Sequence, residues 1–175
     1  MGEIPLEQKE IYGSSFKEGG DTPQGFNWRD RATQELRFAK LLENLDTSNS
    51  PSVCDFGCGT GDLHQFLNLK KIEHEFHGLD IVPEMIVLAK KKHANAKFLL
   101  DADLKKIPDE EFDLVVCSGT FYIKGSVDQN SWSNYLRKVV KELFRICRLG
   151  ISFNFLGDWS DWKQDDLAYF SISEI

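Results

Sequence analysis

Three glycines at alternate positions, flanked by acids, are the part of this chain best suited to chemistry: Asp55-Phe56-Gly57-Cys58-Gly59-Thr60-Gly61-Asp62. Glycine at Gly57, Gly59 and Gly61 allows positive φ and removes the Cβ atoms that would hold a ligand away from the backbone. The residues ahead of them, Val53-Cys54-Asp55-Phe56, are largely apolar. The segment therefore reads as a buried strand, a tight turn and a helix start, which is where open α/β sheets bind nucleotides. A dinucleotide fingerprint wants glycine at its first, third and sixth positions, but counting from Gly57 and Gly59 the sixth is Asp62. An acid at that helix start repels a pyrophosphate, so an NAD-dependent reductase ranks low.

A second strand, Phe76-His77-Gly78-Leu79-Asp80, follows about twenty residues on and also ends in an acid, placed to accept hydrogen bonds from both hydroxyls of a ribose. The ligand thus carries a ribose without a pyrophosphate, and Ile81 lies beside its base. Pro83 and Glu84 suit the first turn of the next helix. A third strand, Lys97-Phe98-Leu99-Leu100-Asp101, repeats the terminal acid, and a fourth, Phe112-Asp113-Leu114-Val115-Val116-Cys117, runs into Ser118-Gly119-Thr120.

From Val53 to about Leu156 these residues resemble, in order, the class I S-adenosylmethionine-dependent methyltransferase family. The resemblance implies that Gly57, Gly59 and Gly61 pass under the methionine part of the cofactor, that Asp55 helps hold its amino end and that Asp80 takes the ribose. It also implies that Asp101 and Ala102 meet the adenine amino group and ring, and that Ser118 lies near the methionine end. A closer likeness, to a bacterial subfamily with few assigned substrates, rests on Gly25-Phe26-Asn27-Trp28, Gln34-Glu35-Leu36-Arg37-Phe38, Cys117-Ser118-Gly119-Thr120-Phe121 and Gly150-Ile151-Ser152-Phe153-Asn154-Phe155-Leu156. It names a reaction class and leaves the substrate open.

The elements that must position these groups alternate simply. Strands are expected near 52–56, 75–80, 97–101, 112–117 and 151–155, with helices near 62–69, 83–93 and 131–148. That pattern implies a Rossmann-like, doubly wound parallel sheet in a three-layer α/β/α arrangement. Residues 1–28 are polar apart from aromatics such as Tyr12, Phe16, Phe26 and Trp28, and read as a mobile N-terminal arm, with the cofactor-binding domain at 29–175. A helix from about Arg29 to Leu45 is expected to bury Ala32, Leu36, Ala39 and Leu42. The last helix carries a core stripe of Trp132, Leu136, Val139 or Val140, Leu143 and Cys147, with Gly150 as its stop.

Composition narrows the partners. A chain of 175 residues, 41% hydrophobic, supports one core. A net charge of −7 leaves no broad positive surface for a nucleic-acid backbone. No apolar run reaches membrane-spanning length and the start lacks a signal-peptide pattern, so a cytoplasmic location is expected. Met1-Gly2 leads to Leu6 and not to the serine or threonine of a myristoylation site. Cys54, Cys58, Cys117 and Cys147 read as core residues, and no metal site is expected from the cysteines or from His64, His74, His77 and His93. Lys90-Lys91-Lys92 fits the end of a helix dipole.

Because a sulfonium methyl is already activated, catalysis needs mainly a well-placed acceptor. Tyr122 and Asp158 are the candidates for a base, if the acceptor must lose a proton. Phe121, Tyr122, Trp159 and Trp162 could wall a small acceptor, and Arg37 could meet the cofactor carboxylate. The resemblance leads one to expect further strands beyond the fifth, so the domain reads as C-terminally short and the sheet as incomplete at that edge. Residues 151–156 would then invite self-association or a partner segment. A non-catalytic cofactor-binding subunit, or a split fragment needing a partner, remains the alternative to a methyltransferase acting on a small molecule.

Overall fold

The computed structural model describes residues 3–174. Met1-Gly2, the start weighed above for lipid attachment, lies outside them. Five parallel strands, β1 (Ser52–Phe56), β2 (Glu75–Asp80), β3 (Lys97–Leu100), β4 (Phe112–Cys117) and β5 (Cys147–Phe153), form one sheet in the order β3-β2-β1-β4-β5. β1 lies at its centre, flanked by β2 and β4. Val53, Cys54, Leu114, Val115 and Val116 are buried, as the nearly continuous apolar runs of strands covered on both faces require. Strand order reverses between β1 and β4, which opens a crevice at their carboxyl ends.

Helices α1 (Glu3–Gly19), α2 (Arg31–Leu42), α3 (Asp62–Leu69), α4 (Pro83–Lys92) and α5 (Gln129–Ile146) complete the layers. One face of the sheet packs on Phe38 and Leu41 of α2, Leu63 and Phe66 of α3, and Ile86 and Ala89 of α4. The other packs on Trp132, Leu136, Leu143 and Ile146 of α5, with Ile4 of α1 against the same cluster. Side-chain caps start two of these helices: Asp30 accepts the Thr33 N–H at 2.7 Å and Asp128 the Ser131 N–H at 3.0 Å.

Several expectations change. Within the stretch read as an arm, residues 3–19 are helical, and a 3-10 turn, Pro23–Phe26, buries Gly25. On α2 the buried residues are Gln34, Phe38, Leu41 and Leu42, whereas Leu36 is 60% exposed and Ala32 and Ala39 are exposed too. Leu42 is buried as expected, but the rest of the expected stripe faces solvent because the buried face includes a glutamine whose amide donates to Asp62 at 3.0 Å. Gly150 does not stop α5. The helix passes directly into β5 at Cys147, whose backbone is already extended. β5 therefore begins earlier than expected and ends at Phe153. It pairs only with β4 among the described residues. The chain then forms a separate parallel pair, β6 (Leu156–Gly157) and β7 (Tyr169–Phe170), and Phe170 is buried against the α5 face of the sheet.

Candidate active site

The crevice at the carboxyl ends of β1, β2 and β4 deepens into a cleft. The turn after β1 forms its floor. Gly57, Gly59 and Gly61 all have positive φ, at 82°, 55° and 88°. A Cβ at Gly57 would overlap the Thr120 hydroxyl, and one at Gly61 would come within 2.7 Å of the His93 ring. The glycines are thus required by the protein's own packing as well as by any ligand. Gly59 is the most open toward the cleft, since a Cβ there would meet nothing nearer than the Phe26 ring, at 3.3 Å.

Asp80 ties the second strand to this turn. Its carboxylate accepts the Gly59 N–H at 2.8 Å and the Val82 N–H at 2.9 Å. Burial raises its pKa, while these backbone donors oppose the rise. Asp55 is 3% exposed. Burial first, then the charges of Asp80 and Asp62, push its pKa well above the carboxylate range. Two acids disfavoured as anions in one cleft suit a cationic ligand.

The N-terminal segment supplies a roof. Tyr12 of α1 donates to the Gly119 carbonyl at 3.2 Å, and Glu7 accepts the Ser126 N–H at 2.7 Å. Phe16 packs on Phe26, ring centroids 5.7 Å apart. The roof is pinned by Asp21, which accepts from the Thr60 hydroxyl at 2.7 Å and pairs with Lys92 at 2.9 Å. Lys92, expected only to complement a helix end, also lies 3.5 Å from Asp62.

Of the residues singled out from the sequence, Asp55, Gly57, Gly59, Asp80, Ile81, Ala102 and Ser118 line this cleft together, as does Phe121. Gly61, Asp101, Arg37, Tyr122 and Asp158 do not line it. Arg37 hydrogen-bonds the Tyr122 hydroxyl and stacks 4.8 Å from the Trp28 ring centroid and 5.1 Å from that of Tyr122. Burial, partly offset by Arg37, pushes the Tyr122 hydroxyl up to about 12, so it is poorly suited to act as a base near neutrality. Asp158 is exposed, and Trp159 and Trp162 are 66% and 81% exposed.

The sequence reading missed Gln8, Tyr12, Phe26, Trp28, Trp132 and Tyr135 as lining residues. The usable signal was the aromatics set in an otherwise polar N-terminal stretch, which have no reason to be there unless they dock. Several polar atoms in the cleft have no protein partner: both ends of the Gln8 amide, the Ser118 hydroxyl and the Trp132 indole N–H. Buried groups left in that state are arranged for a ligand or water. With the bare turn, the buried acids and these free donors and acceptors, the residues fit an adenosine-bearing sulfonium cofactor.

Comparison with known proteins gives the same result. The methyltransferase domain family matches residues 53–150. Rv1506c of Mycobacterium tuberculosis, itself only provisionally named a methyltransferase, is 32% identical over 123 residues, covering 67% of this chain and 72% of that protein. Demethylmenaquinone methyltransferase of Chlorobaculum tepidum is 29% identical over 124 residues, covering 70% and 45%, so the chain spans under half of that relative. The structure of magnesium protoporphyrin IX methyltransferase from Synechocystis, with bound S-adenosylmethionine, shares the fold with a TM-score of 0.57 at 16% identity, over 99% of this chain and 70% of that one. The chain belongs to the class I methyltransferase family, whose cofactor is S-adenosylmethionine.

Proposed function

We propose that this chain transfers the methyl group of S-adenosylmethionine to a small-molecule acceptor within the roofed cleft. The observation that carries the reading is the joining of Asp80 to Gly59 at 2.8 Å, with unpartnered polar atoms facing the same cleft. When bound, the cofactor supplies an activated methyl on a sulfonium. Asp80, already oriented by two backbone N–H groups, has lone pairs left for the ribose hydroxyls. Asp55 is to face the cationic amino end, whose charge favours the ionised carboxylate that burial opposes. Gly57 and Gly59 let the methionine portion lie against the backbone, and Ser118 offers a free hydroxyl nearby.

Rate acceleration then comes from holding the acceptor in line and excluding water. Tyr12, Phe26 and Trp28 form an apolar cover suited to both. The relatives point to small or carrier-bound acceptors, since one is named for demethylmenaquinone and another for malonyl-acyl carrier protein. The test is to incubate the purified chain with S-adenosylmethionine and fractionated small metabolites and follow S-adenosylhomocysteine formation. Calorimetry with S-adenosylhomocysteine runs alongside. No binding defeats the reading, whereas binding without turnover on any fraction favours a non-catalytic subunit.

A second reading rests on β5, an edge strand among the described residues with Leu149 66% exposed. Such an edge presents unpaired backbone groups to another strand, so activity that appears only with self-association or an added partner would point to assembly through residues 147–153. Light scattering across a concentration series separates this from an active monomer.

A further inference from the structure

Asp101, the residue expected to meet the adenine amino group, has an exposed side chain that does not line the cleft. Its backbone takes a left-handed conformation, φ 50°, and its N–H donates to the Asp80 carbonyl at 2.8 Å. Its place in the fold is therefore accounted for by the link between β2 and β3.

Gln8 presents the opposite case. It is 4% exposed, lines the cleft, and has no partner for either Oε1 or Nε2. A buried amide with both ends unsatisfied is costly in the free protein. Helical spacing places Gln8 one turn from both Ile4 and Tyr12 on the same face of α1. Ile4 packs on the cluster around Trp132, which also receives Ala102 and Leu104, while Tyr12 donates to the Gly119 carbonyl. Gln8 thus faces the same cleft that Ala102 and Ser118 line.

A carboxamide carries a donor and an acceptor at the spacing of the adenine edge, which offers a 6-amino donor beside a ring-nitrogen acceptor. We propose that Gln8 reads the adenine of the cofactor, Oε1 accepting from the 6-amino group and Nε2 donating to the adjacent ring nitrogen. This rests on cofactor binding in the cleft and adds to it a base-reading residue supplied by the N-terminal helix. The unsatisfied amide is the preorganised half of that contact.

Calorimetry on the full chain tests it, with S-adenosylhomocysteine and its 6-deamino analogue, in which hydrogen replaces the amino group. Wild-type protein should bind the analogue about tenfold more weakly. Gln8→Leu should bind S-adenosylhomocysteine about tenfold more weakly than wild type and treat the two ligands alike. Its ligand-free melting temperature should hold or rise, because an unpartnered amide has been replaced by an apolar side chain of similar size. Asp101→Ala should keep the wild-type preference for the amino group. The inference is overturned if Gln8→Leu still discriminates between the ligands, or if Asp101→Ala abolishes the discrimination. Failure of wild-type protein to bind S-adenosylhomocysteine at all overturns instead the cofactor reading beneath it.

Discussion

The carboxylate of Asp80 accepts the N–H of Gly59 across 2.8 Å, so the end of β2 and the middle of the glycine turn are held as one unit. A second contact, from the Val82 N–H at 2.9 Å, fixes the other carboxylate oxygen. The acid that serves the ribose in the proposed complex is therefore oriented before any ligand arrives. Such preorganisation avoids an ordering cost on binding.

Asp80→Asn tests this directly. An asparagine retains one oxygen for the backbone N–H groups and replaces the other with an amide donor that opposes them. Each charge-assisted hydrogen bond is worth about 1.5–3 kcal/mol, so S-adenosylhomocysteine affinity should fall at least about tenfold. Titration calorimetry checks it, with circular dichroism confirming the fold. Affinity equal to wild type would remove Asp80 from the site.

Gly57→Ala should destabilise the protein whether or not ligand is present. Its φ of 82° costs a non-glycine residue about 1–2 kcal/mol, and the new methyl meets Thr120. Thr120 cannot simply move, because its hydroxyl donates to the Phe56 carbonyl at 3.0 Å. Adding Thr120→Ala should restore part of the lost melting temperature and leave the backbone penalty. Strict additivity of the two substitutions would show that they do not touch.

The sheet was readable because its central strands are covered on both sides, so Val53, Leu114, Val115 and Val116 cannot be anything but apolar. The turn was readable because its φ values demand glycine. The roof was not, since α1 turns inward a mixed face of partly buried Ile4 and Tyr12 around buried Gln8, and hydrophobic periodicity does not count a glutamine as apolar. The same difficulty turned α2 around: Gln34 is buried because Asp62 awaits it, a partner distant in sequence. Arg37 likewise found Tyr122 and Trp28, which no local pattern announces. Long-range polar pairing was the missing information in each case.

The roof should loosen when its pin is cut. Asp21 is driven up by burial, yet hydrogen bonds from Thr60 and Lys92 hold it below the ordinary carboxylate range. Because this pair is partly exposed, Asp21→Ala should cost only about 1 kcal/mol and chiefly speed cofactor dissociation. Lys92→Met should cost more, since it also leaves Asp62, 7% exposed, without its cation. Stopped-flow dissociation and limited proteolysis within residues 19–28 would rank the two, and the reverse order would contradict the shared role of Lys92.

Acid should weaken the fold through His64. Its Nδ1 lies 2.8 Å from His74 Nε2, and His74 Nδ1 lies 2.7 Å from the Ile72 carbonyl. His74 Nδ1–H donates to that carbonyl, which leaves its Nε2 to accept from the Nδ1–H of His64. Burial, then His74 and His93, push His64 down to about 4. A histidine in the unfolded chain titrates near about 6.5, so between these values the unfolded state binds a proton that the folded state refuses. Stability from this group is complete above about pH 6.5 and is lost as pH falls toward 4. Burial pushes His77 and His93 in the same direction, whereas Asp55 and Asp80, raised by burial, act in the opposite sense. The comparison of variants isolates His64: the drop in melting temperature from about pH 7 to about pH 5 should shrink in His64→Leu relative to wild type. An unchanged drop would mean that other groups carry the acid sensitivity.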